Sequence, residues 1–198
     1  MQGALERERR MSKAARVVVV LLVAWWQGWG AAAIAAENGS SSEYAVKAAF
    51  LYHFAQFVEW PEGAFRDANS PLVYCTIGFD PFEGALDATL KGKSVNGRAI
   101  EVRHLKQAPE AQGCHLLFVG EGQKRQIPAV LAQFHGTPVL LVGESEKFAT
   151  EGGTIGFVLE ENKVRFEVNL EAAEKSRLKI SAKLLALAKT VIGTPKRG

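Results

Sequence analysis

Apolar residues follow three rhythms along the chain, and each rhythm predicts a different kind of element. Val17 to Trp29 is an almost unbroken apolar run, interrupted only by Gln27 and Gly28. From about Tyr44 to Trp60 the spacing turns helical. Val46, Ala49, Phe50, His53, Phe54 and Phe57 share one face, and Leu51, Ala55 and Val58 widen it. Gly39 to Glu43 reads as a linker in which Ser40-x-x-Glu43 has capping-box spacing, and Pro61 stops the helix. A helix apolar over so much of its circumference is either centrally buried or docks on a second surface.

The third rhythm is that of short strands. Leu72 to Gly78, Leu116 to Val119 and Pro138 to Val142 are compact apolar runs. Asn96-Gly97 is a two-residue hairpin signal leading into a strand at Ala99 to Val102. Thr154 to Leu159 and Lys163 to Val168 form a second hairpin around Glu160-Glu161-Asn162. In its second arm Val164, Phe166 and Val168 point inward and Arg165 and Glu167 outward. Helical stretches lie near Phe82 to Leu90, Ile127 to Phe134 and Ser181 to Val191. Strands alternating with helices predict a single α/β domain over residues 44–193. Its architecture is a three-layer α/β/α sandwich around a mixed, largely parallel sheet with a C-terminal β-hairpin.

Charge changes the picture at the N-terminus. Arg7, Arg9, Arg10, Lys13 and Arg16 precede the apolar run, and Ala33-Ile34-Ala35 after it fits a signal-peptidase site. An apolar core of roughly 13 residues is too short for a stable membrane anchor, which needs about 20. Residues 1–36 therefore read as a signal peptide, with Met1 or Met11 as the start, and the protein as exported. Five of the 24 basic and two of the 21 acidic residues lie in that segment, leaving 19 of each in the mature chain. The net charge of +3 belongs to the targeting segment, and the neutral remainder excludes a broad nucleic-acid footprint. The polar tail 194–198 adds nothing to the core.

Chemistry is sparse. Cys75 and Cys114 are the only cysteines. An even count in an oxidising compartment favours a disulfide, two buried thiols being the alternative. No C-x-x-C or H-x-x-x-H spacing offers metal ligands, and no G-x-S-x-G elbow offers a nucleophile, so neither a metal, a cofactor nor a catalytic residue is expected. Three strands end alike, at Ile77-Gly78-Phe79-Asp80, Val119-Gly120-Glu121 and Val142-Gly143-Glu144. If these strands are parallel, Asp80, Glu121 and Glu144 gather at a ligand-binding crevice or serve as acids at helix starts. Arg165 and Lys179 are candidate anion or regulatory contacts whose plain alternative is a solvated face.

One resemblance runs through the mature chain. Glu43-Tyr44-Ala45-Val46-Lys47-Ala48-Ala49-Phe50-Leu51-Tyr52 and Phe57-Val58-Glu59-Trp60-Pro61 resemble the opening helix of the YfiR/HmsC family. The likeness continues at Gly78-Phe79-Asp80-Pro81-Phe82, Gly92 to Arg98, Cys114 to Phe118, Gly152 to Phe157, Asn162 to Asn169 and Leu178 to Ser181. It implies a periplasmic, non-enzymatic regulator. Such a protein binds the periplasmic sensing domain of an inner-membrane diguanylate cyclase, represses it, and so lowers cyclic di-GMP and biofilm formation. It also implies a homodimer, and it makes Cys75 and Cys114 one family cysteine pair. A second family pair is missing around Ala149 to Gly156, and His53 stands where the motif has asparagine. Partner or dimer contacts are then expected on Tyr44, Phe50, His53, Phe54 and Phe57. A periplasmic sensor of a small-molecule signal and an exported hydrolase are the competing classes.

Overall fold

The computed structural model describes the backbone of residues 31–193 and the side chains of residues 41–193. Of the expected signal segment, residues 1–30 lie outside this range, as does the tail 194–198. The chain divides into two units, residues 1–42 and 43–198, and the described part of the first is the opening of helix α1 (Ala31–Gln56). Among the described residues no helix is long and apolar enough to cross a membrane.

The main sheet has eight strands: β2 (Leu72–Ile77), β3 (Ser94–Val95), β4 (Arg98–Leu105), β5 (Leu116–Val119), β6 (Leu140–Gly143), β7 (Ile155–Glu160), β8 (Lys163–Asn169) and β10 (Thr190–Ile192). They lie in the order β10-β8-β7-β6-β5-β2-β4-β3. The pairs from β4 through β2, β5 and β6 to β7 are parallel, β7–β8 and β3–β4 are antiparallel, and β10 runs parallel to β8. Chain order reverses between β2 and β5, which makes the gap beyond their carboxyl ends the topological switch point of the sheet. The expected α/β class with a largely parallel mixed sheet is therefore the observed one.

Alternate residues of each central strand feed two separate cores. Leu72, Tyr74, Leu116, Phe118, Leu140 and Val142 face α1, α2 (Ala85–Leu90), α4 (Leu170–Lys175) and α5 (Ala182–Leu185). Val73, Cys75, Ile77, Leu117, Val119 and Leu141 face α3 (Ile127–Phe134) and the short helical turn at Ala108–Ala111. Burial on both faces explains why these strands read as continuous apolar runs. The Cys75–Cys114 disulfide lies in the second core and joins β2 to the start of β5, with both cysteines buried.

Both hairpins form where the turn chemistry places them. Asn96 and Gly97 take φ of 50° and 79°, and Glu161 and Asn162 take 49° and 59°, the left-handed pair that a tight hairpin needs. Gly143 fulfils a different demand: a Cβ there would collide with the ring of Phe148, which is wholly buried against this strand end.

Three expected boundaries are corrected. Helix α1 starts at Ala31, not Tyr44, so Glu43 does not cap a start; its carboxylate reaches forward to Lys47 one turn on. The helix ends at Gln56. Val58–Glu59 then forms β1, which pairs antiparallel with β9 (Lys179–Ile180), and the Phe57 carbonyl accepts the Ser181 N–H. The last helix, expected over Ser181 to Val191, stops at Leu185. Thr190–Ile192 instead adds a strand to β8, with the Lys189 N–H donating to Phe166. Three β-branched residues in a row suit an extended edge better than a helix end.

The loop after β1 is held by two aromatic contacts. The Arg98 guanidinium lies 3.8 Å over the Phe65 ring, and Phe65 stacks at 4.3 Å on the ring of His115. Nδ1 of His115 accepts the Val73 N–H at 3.1 Å, so its proton sits on Nε2, 3.1 Å from the Ala64 carbonyl that accepts it.

Candidate functional site

The inner face of α1 is set by Ala48, Leu51, Phe54 and Ala55, at helical spacing and all wholly buried. Lys47 lies on the same face, only 4% exposed, and a charge so placed costs several kcal/mol unless it is paired. It is paired twice. Its Nζ stands 2.5 Å from Oε1 of Glu43 and 2.5 Å from Oε2 of Glu144. The other oxygen of Glu144 accepts the Tyr44 hydroxyl at 3.0 Å and the Glu121 backbone N–H at 2.8 Å. Nζ also sits 4.5 Å over the Tyr44 ring. One buried carboxylate at the end of β6 thus ties the helix to the turn after β5.

Around this knot opens a cleft of about 420 Å³ at the carboxyl side of the strands. Glu43, Tyr44 and Lys47 line it from α1, Glu121 and Lys124 from the turn after β5, and Glu144 and Glu146 from the turn after β6. Phe157 to Leu159 of β7 form its apolar wall. Burial first, and the Glu144 carboxylate second, hold the Tyr44 hydroxyl above the ordinary phenol range. It keeps its proton near neutrality and serves as a donor. The arrangement can hold charge and fix a helix, and its exposed rim of Glu121, Lys124, Glu146 and Leu159, the first two paired with each other at 3.3 Å, can contact a ligand or partner.

Of the residues singled out from sequence, Glu121 and Glu144 from the strand ends and Tyr44 from the helix line this cleft. Asp80 does not. Its Oδ1 accepts the Phe82 N–H at 3.0 Å and its Oδ2 lies 3.8 Å from Nδ1 of His104. Arg165 is exposed on β8 and Lys179 is exposed on β9 opposite Glu59; neither lines the cleft. The expected contact set of α1 divides. Phe54 is sealed in the core and packs on Phe157 and Phe166, so its role is packing. Tyr44, Phe50 and Phe57 are half-buried, while His53 is exposed and bonds to Gln56 at 2.9 Å. The buried stripe is rotated from the expected one: Leu51, Ala55 and Val58 lie inside, and Val46 is 42% exposed.

Sequence reasoning passed over Lys47, whose only signal was its spacing to Glu43. It also passed over Asp87 and His104, which the fold brings together with Asp80 in a second polar group.

Two solved structures resemble this chain at 11% identity. One is the ABC domain in complex with L-Trp from Streptococcus pneumonia, with a TM-score of 0.44 over 61% of this chain and 56% of that one. The other is a conserved domain protein from Vibrio cholerae, with a TM-score of 0.43 over 61% of this chain and 54% of that one. The chain therefore spans little more than half the length of either. A family model covers far more of it, matching residues 44–189 from Tyr44 at the mouth of the cleft to the start of β10. The chain belongs to the YfiR/HmsC-like family.

Proposed function

We propose that this protein is a periplasmic regulatory binding protein that represses an inner-membrane diguanylate cyclase by binding its periplasmic sensing domain. The observation that carries the reading is family membership over residues 44–189. The site supports it. Lys47, Glu144, Tyr44 and Glu43 are committed to one another, which suits a scaffold that presents a surface better than a centre that turns over a substrate. The buried disulfide suits an oxidising compartment.

The outward side of α1 is the surface we assign to the partner or to a second copy of the chain. Val46 and His53 are exposed there, flanked by the half-buried Phe50 and Phe57. The test is intracellular cyclic di-GMP in a strain lacking the gene, complemented with wild type or with Val46→Glu plus His53→Glu. Wild type lowers the nucleotide and the double variant, folded and exported, does not. Equal repression by both removes this face from the mechanism.

A further inference from the structure

Asp80, Asp87 and His104 lie outside the cleft and are used by nothing described above. β2 and β4 run parallel with Thr76 opposite His104, so the imidazole stands beside the Thr76 hydroxyl, Oγ1 to Nδ1 2.9 Å. Asp80 follows the end of β2, and its Oδ1 is fixed by the Phe82 N–H, leaving Oδ2 turned to the ring. Asp87 comes from the first turn of α2, with Oδ2 2.9 Å from Nε2 of His104. One donor atom from each residue lies within 4.8 Å of the other two.

Charge makes this more than a histidine between two acids. Among the described residues no lysine or arginine forms an ion pair with Asp80 or Asp87; the side chain that faces both is His104. Two carboxylates facing one imidazole leave a net negative charge whether or not the ring is protonated. The 2.9 Å contact between Nε2 and Oδ2 of Asp87 is a hydrogen bond as it stands, and only a small shift opens it to the roughly 3.3 Å between two ligands on one small tetrahedral ion with bonds of about 2.0–2.1 Å. An ion on Nε2 leaves Nδ1 to the Thr76 hydroxyl, which orients the ring, and Asp80, now 3.8 Å from Nδ1, swings its carboxylate toward Nε2 to join the shell.

The geometry points to a divalent transition-metal site, with His104, Asp80 and Asp87 as ligands and water completing the shell. One nitrogen and two carboxylate oxygens suit zinc. The ion would tie the Gly78–Phe82 turn to β4 and α2. That turn carries Phe79, which is 78% exposed beside the switch point, so occupancy would set how this ring is presented.

Calorimetric titration of chelator-stripped, purified protein with zinc chloride tests the site. Wild type is expected to take up one equivalent. Asp87→Asn and His104→Gln are each expected to weaken binding by about 10-fold or more. Melting curves in chelator establish that each variant is folded. Asp87 is exposed on its helix, so Asp87→Asn decides the matter if His104→Gln does not fold. No one-to-one uptake by wild type, or unchanged affinity in folded Asp87→Asn, overturns the proposal.

Discussion

Lys47 fixes where α1 sits, because a buried ammonium has to find its counter-charges in only one place. Lys47→Ala leaves the Glu144 carboxylate with two hydrogen-bond donors but no cation, and is expected to cost about 3–5 kcal/mol. Lys47→Met combined with Glu144→Gln removes both charges and is expected to recover most of that loss. Urea midpoints of the two variants decide it, and a double variant less stable than Lys47→Ala would contradict the pairing. His115 gives a pH signature. Burial mainly, then the charges of Arg98 and Arg103, lower its pKa from the ordinary 6.5, against the opposing pull of its bond to Ala64. The folded state then binds fewer protons than the unfolded state below pH 6.5, so stability rises with pH in that window. This contribution is complete above 6.5 and is lost as pH falls from there toward the depressed folded value. Chemical denaturation at stepped pH should show that slope, and His115→Gln should flatten it. These residue-level facts were only partly legible beforehand. Glu144 and Glu121 could be placed from glycine-ended strands. Lys47 could not, since a helical lysine is ordinarily solvated.

At the scale of elements, the disulfide joins strands that are neighbours in space and distant in the chain. Cys75 and Cys114 are 39 residues apart, and closing that loop restricts the unfolded chain by about 4 kcal/mol. Cys75→Ala with Cys114→Ala is expected to lose a stability of that order in denaturant. A loss within error of zero would show that the bond does not restrain the unfolded chain. The strands and hairpins were readable because their signals are local: apolar runs buried on both faces, and Asn-Gly or Glu-Asn at turns with positive φ. The final segment was misread for the opposite reason. Leu184 to Leu187 looks helical in isolation, yet the Phe166 carbonyl on β8 accepts the Lys189 N–H and draws Thr190–Ile192 into the sheet. Long-range pairing of that kind leaves little trace in a periodicity. The Asp80–Asp87–His104 group was hidden in the same way, because His104 joins the two acids only when β4 pairs alongside β2.

For the whole molecule, the carboxyl ends of β5, β6 and β7 border a cleft one wall of which is Tyr44 and Lys47 of the chain's own first helix. What remains outward-facing is a surface: Val46 and His53 on α1, Leu159 on the cleft wall and Phe79 at the switch point. The proposed regulator, acting from outside the inner membrane, reaches cytoplasmic signalling only through a protein that spans it, and a membrane-bound cyclase meets that need. The central claim is therefore tested most directly by the cyclic di-GMP content of cells that lack this gene and retain the partner cyclase. The account predicts a rise over the parent strain, reversed by the wild-type gene and not by Val46→Glu with His53→Glu. An unchanged nucleotide level in the deletion strain would contradict it.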